Sequence, residues 1–134
     1  MYTKSEIKYL RDKATQCKMV APQKYWRSNF NTLCKVCNGV GRESAPEWVR
    51  KTLNSCFYSI ESSATIHDFM YQFSDGTYKS RLYADCLFLE NGFKEISYTY
   101  KWFIPFKYIA YVKAFLAFCA IRWKGKSTWE SLSK

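Results

Sequence analysis

Residues 62–92 read SSATIHDFMYQFSDGTYKSRLYADCLFLENG, and the way this stretch divides decides the fold. Ser62-Ser63 is a predicted cap for a helix, SATIHDFMYQF, that stops at the turn residues Ser74-Asp75-Gly76-Thr77. A second predicted helix runs from about Tyr78 to Glu90 and closes at Asn91-Gly92, a glycine signal for a helix C-terminus. Two helices joined by a short turn lie antiparallel. Their facing residues can meet.

On the second helix, Leu82, Cys86 and Leu89 mark the expected buried stripe, and Asp85 falls among them. A carboxylate turned toward a core is costly unless something pairs with it. The chain's one histidine, His67, stands on the first helix with Ala64 a turn before it and Tyr71 a turn after. The expected pairing joins Asp85 to Nδ1 of His67, with the Tyr71 hydroxyl as a second donor. An imidazole oriented in this way keeps its other nitrogen as a base of fixed tautomer, as general-base hydrolysis requires. Asp68 lies about 100° further round its helix and cannot serve the same partner.

Upstream, residues 34–41 read CKVCNGVG and admit two readings. Cys34-x-x-Cys37 followed by glycines looks like one repeat of the zinc module of DnaJ-type chaperones. From Cys37 onward the same run is a glycine loop whose carbonyls could face a hard cation, with the Asp68 carboxylate as a further oxygen ligand. A zinc site needs two more ligands, and no second C-x-x-C or C-x-x-H occurs in the chain. Zinc at Cys34 and Cys37 therefore ranks behind calcium.

The order Cys37-Asn38-Gly39-Val40-Gly41, then His67-Asp68-Phe69-Met70-Tyr71, then Asp85 resembles the calcium-dependent phospholipase A2 superfamily. That family joins a C-G-x-G loop to a helix with H-D-x-x-Y and an antiparallel helix with an aspartate that orients the histidine. Ala64 and the absence of dense disulfides are similar to its short viral and phage-encoded members. The resemblance covers about residues 34–92. It implies backbone carbonyls of Cys37, Gly39 and Gly41 with the Asp68 carboxylate as calcium ligands. It further implies that His67 deprotonates a water, Asp85 holds His67 and Tyr71 braces Asp85.

At 134 residues the chain suits a single domain, here expected to be all-α: the helix pair with flanking helices. Thr3-x-x-Glu6 has capping-box spacing, and Ile7, Leu10, Ala14 and Cys17 form one stripe of a helix that Pro22 should end. Residues 22–45 carry loop vocabulary, and Ser44 before Pro46-Glu47 predicts a short helix to about Asn54. From Pro105 a helix apolar on almost every side is predicted, spanning 104–123 as an apolar and basic C-terminal element. Its uncharged stretch, Ala114–Ile121, is too short to cross a bilayer, which leaves a core helix or a membrane-surface helix with snorkelling lysines.

Hydrophobic residues make up 48% and aromatics 19%, enough for a packed core with aromatics to spare for an interface. A net charge of +10 favours anionic partners. An anionic phospholipid surface is the first expectation and a host protein the second, while nucleic acid has no binding motif to support it. No run of five basic residues occurs, which argues against a disordered nucleic-acid tail. The charged N-terminus shows no signal peptide, so a cytoplasmic location is expected, in a host cell or associated with a virion, with peripheral membrane attachment. The six cysteines are then expected reduced, with Cys17, Cys56, Cys86 and Cys119 buried as small apolar groups.

The functional expectation is a calcium-dependent, phospholipase A2-like lipid ester hydrolase. Its alternative is a catalytically silent scaffold of that type, a viral or phage binding protein that inhibits a host through its basic surface.

Overall fold

A computed structural model describes residues 2–37, 60–101 and 104–133. It is all-α over these residues, with helices α1 (Lys4–Gln16), α2 (Gln23–Arg27), α3 (Phe30–Val36), α4 (Glu61–Gln72), α5 (Tyr78–Thr99) and α6 (Ile104–Ser133). The helix predicted after Pro46 lies outside the described residues, as do Gly39, Gly41 and Cys56.

The capping box of α1 forms: Glu6 N–H donates to Thr3 Oγ1 at 3.2 Å and Thr3 N–H donates to Glu6 Oε2 at 2.7 Å. Ile7, Leu10, Ala14 and Cys17 are buried as the periodicity predicts. The helix stops before Pro22 is reached, because Lys18 turns left-handed at φ 55° and Met19 N–H returns to the carbonyl of Ala14. Two short helices then occupy part of the predicted loop. The Asn that reads as loop vocabulary is a cap, with Asn29 Oδ1 accepting from Thr32 N–H at 2.8 Å.

α4 is the wall between two cores. On one side Ile66 and Phe69 pack with Ile7, Ala14, Tyr25, Leu33 and Cys37. On the other, Ile60 and Ala64 pack with Phe88, Ile96 and the inner stripe of α6. Every residue from Ser62 to Phe69 is therefore buried, polar ones included. Ser62 and Ser63 are not the cap. They sit inside the first turn, and their N–H groups donate to the Glu95 carboxylate at 3.4 and 3.2 Å. A carboxylate from α5 thus satisfies the orphan donors at this helix start, and Lys13 of α1 pairs with it at 3.1 Å.

α5 runs through Asn91-Gly92 to Thr99, past the predicted stop. Both residues have tertiary duties that outweigh the local signal. The Asn91 side chain accepts from Val20 N–H and donates to Val20 O, at 3.0 and 2.8 Å. Gly92 faces Ile60 and Ala114 across the helix contacts. The buried residues of α5 are Arg81, Ala84, Asp85, Leu87, Phe88, Asn91, Gly92, Glu95 and Ile96, whereas Leu82 and Cys86 are exposed. Asp85 faces inward as expected, on a stripe set one position away from the predicted one.

α6 begins at Ile104, but it is not a core helix. Among its described side chains only Ala110, Ala114, Ala117 and Ile121 are buried, and most of the larger apolar ones, Tyr108, Ile109, Val112, Phe115 and Leu116 among them, point outward.

A helical Gly92 predicts that Gly92→Ala leaves stability unchanged or raises it by up to about 1 kcal/mol. The added Cβ would meet Ile60 Cγ2 at 3.4 Å, an ordinary contact. A loss above about 1 kcal/mol in urea unfolding would restore Gly92 to a helix stop.

Candidate functional site

The turn between α4 and α5 is tight. Gly76 takes φ 82°, and Asp75 Oδ1 accepts from the Thr77 N–H and hydroxyl. The hairpin this makes brings His67 and Asp85 to hydrogen-bond distance, 2.7 Å from Nε2 to Oδ1. The Tyr71 hydroxyl donates to the same Oδ1 at 2.6 Å. The three predicted catalytic side chains therefore meet.

The nitrogen that meets Asp85 is Nε2, not Nδ1. A helical side chain lies back along its own helix, so the nitrogen furthest from the backbone reaches the neighbouring one. Nδ1 stays beside α4, buried, and has no hydrogen-bond partner among the described residues. The ring is held between Tyr71 and Phe88, at centroid distances of 4.2 and 5.2 Å.

Two arginines complete the cluster, and neither was among the predicted site residues. Arg122 of α6 donates from Nη1 to Asp85 Oδ2 at 2.7 Å. Arg81, one turn before Asp85, places Nε 3.9 Å from the same oxygen and donates from Nη2 to the Arg122 carbonyl at 2.6 Å. The i,i+4 spacing of Arg81 and Asp85 was a readable signal. For Arg122, 37 residues away in the chain, there was none.

Charge states follow from these partners. Burial pushes the His67 imidazole below its ordinary value, and the hydrogen bond and charge of Asp85 recover only part of that. Burial alone would raise Asp85. Its hydrogen bonds from His67, Tyr71 and Arg122 outweigh burial and hold it below the ordinary carboxyl value. The pair is a neutral imidazole beside an ionised carboxylate. Nε2 carries the proton toward Asp85, and Nδ1 keeps its lone pair. Tyr71, pushed up by burial and by Asp85, stays a protonated donor.

Asp68 turns to the other side of α4, toward Cys37 at the end of α3. Burial first and the Asp68 charge next raise the Cys37 thiol, which donates to the Thr65 carbonyl at 3.3 Å. Cys37 and Asp68 are the two of the four residues implied for calcium that lie among the described residues, and both are buried. Cys37 follows the last turn of α3, where carbonyls have no intrahelical donor, and the rest of the glycine loop lies outside the described residues. Among the described residues no three His, Cys, Asp or Glu side chains are grouped as metal ligands. The described cysteines are free thiols, with Cys17 and Cys37 buried and Cys86 and Cys119 exposed, contrary to the burial expected of the latter two.

No protein-family model, curated protein or solved structure matches this chain.

The charge states make acid stability a test. Below pH 6.5 the unfolded chain protonates its histidine while the folded chain resists, so stability falls as pH drops from 6.5. The Asp85 contribution, full above 3.8, is lost at lower pH as its depressed folded value is passed. Urea midpoints should hold steady just above pH 6.5 and decline as the pH is lowered from there, and His67→Gln should remove that decline. A flat profile in the wild type would contradict a neutral buried imidazole.

Proposed function

We propose that this protein is a phospholipase A2-like lipid ester hydrolase in which His67 is the general base. The observation that carries this reading is the His67–Asp85–Tyr71 arrangement, with Nε2 spent on the carboxylate and a lone pair left on Nδ1. A water at Nδ1 would give up its proton as its oxygen attacks the ester carbonyl. The imidazolium so formed is stabilised by Asp85 through Nε2–H, and its Nδ1 proton passes to the departing glyceryl oxygen. Tyr71 and Arg122 hold the carboxylate in place, so that it orients the ring without taking the proton itself. Calcium on the carbonyls of Cys37, Gly39 and Gly41 and the Asp68 carboxylate would supply positive charge for the developing oxyanion. The substrate would be a glycerophospholipid presented in an anionic membrane surface, toward which the net charge of +10 draws the protein.

A second reading has its own observation. The His67 residue is 1% exposed, and Asp85 ties α4, α5 and α6 together through His67, Arg81 and Arg122. A cluster of that kind also serves as a structural staple. The protein would then be a silent scaffold that binds a host protein or nucleic acid through its basic surface.

Fatty-acid release from phosphatidylglycerol vesicles separates the two. The hydrolase reading predicts release that a chelator suppresses and that His67→Gln reduces by about a hundredfold or more. Wild-type protein that releases no fatty acid with calcium present, or release indifferent to His67→Gln, supports the scaffold reading instead.

A further inference from the structure

α6 holds the rest of the molecule through small side chains and shows its large ones to solvent. Ala110, Ala114, Ala117 and Ile121 are at most 5% exposed, while Tyr108, Ile109, Val112, Phe115 and Leu116 are 51–64% exposed. At about 100° per residue these two sets lie on opposite sides of the helix. No charged residue falls on the outward strip: Lys107 and Lys113 are half-buried at its flanks, and Arg122 is turned to Asp85. The strip follows the helix from Ile104 to Trp123, about 30 Å. A monomer in water rarely shows so long an apolar surface without a use for it.

We propose that this strip is a docking surface for an anionic phospholipid bilayer, with α6 lying in the membrane plane. The outward side chains would enter the boundary of the acyl layer, with Lys107 and Lys113 among the headgroups. Charge selects this occupant. From Ile96 to Trp129 the chain has six basic residues and no acidic one. A second copy paired through the strip would bring the like charges of Lys107 and Lys113 at its flanks toward those of its twin, whereas phosphate headgroups attract them. Contrary to the expectation from its uncharged stretch, Ile104–Trp123 is long and apolar enough to cross a bilayer by length and composition, at a mean hydropathy of 1.5. Crossing would strip Arg122 from Asp85 and the Arg122 carbonyl from Arg81, polar bonds that hydrocarbon cannot replace. An in-plane helix keeps both.

The choice of lipid rests on the hydrolase reading, so the test uses a lipid with no ester to cleave. Vesicles of ether-linked phosphatidylglycerol, compared with ether-linked phosphatidylcholine, are mixed with the full chain and sedimented. The wild type should bind the anionic vesicles about tenfold more tightly or better, and a triple variant, Val112→Ser/Phe115→Ser/Leu116→Ser, should lose about tenfold or more. These positions are exposed, so the variant should melt as the wild type does by circular dichroism. Equal binding by the variant, or a wild type left in the supernatant, overturns the proposal. So does a concentration-dependent dimer in analytical ultracentrifugation that the variant abolishes, which would assign the strip to a second copy. Loss of hydrolysis with docking intact would count against the esterase chemistry alone.

Discussion

A carboxylate with no exposure to water organises this molecule. Asp85 on α5 is 0% exposed, a position that is tenable only if its oxygens are fully engaged. Oδ1 takes donors from two side chains of α4, and Oδ2 takes the guanidinium of Arg122 from α6, with Arg81 close by. Three helices are obliged to meet at one charge. Ten residues on, about 15 Å along the helix and about 80° around it, Glu95 repeats the device. It binds Lys13 of α1 and the N-terminal N–H groups of α4. The register of α5 against its neighbours is thus pinned at two points by buried charge, while the apolar cores fill the space between.

This division explains which features could be read from the chain. The capping box of α1, the turn at Asp75-Gly76-Thr77 and the helices on either side of it are local, and local chemistry dictated them. Asp85 was legible because it broke an apolar pattern, and a partner on the facing helix was the economical repair. Less local facts escaped. Asn91-Gly92 looks like a helix stop until Val20 and Ile60 claim its two residues. Ser62-Ser63 looks like a cap until Glu95 takes its place. The nitrogen of His67 that faces Asp85 depends on side-chain reach, and Arg122 comes from a helix whose packing no periodicity announced, since its contact stripe is mostly alanine.

The same arrangement links chemistry to surface. Small residues on the inner side of α6 let it lie close to α5, and its large apolar residues are left outside as a consequence. Arg122 then joins that outward-facing helix to the carboxylate that orients His67. The polar cluster and the apolar strip are two faces of one packing solution. A hydrolase working on lipid would use both, and a scaffold would use the cluster as a staple and the strip as an anchor.

The central claim is the state of the His67–Asp85 pair, and the chain's single histidine makes it directly observable. In a protein labelled with 15N-histidine, proton–nitrogen correlation near neutral pH should show one neutral imidazole. Its proton should reside on Nε2, exchange slowly with water and change markedly on Asp85→Asn. An imidazolium, or a proton on Nδ1 that is indifferent to Asp85→Asn, would contradict the account.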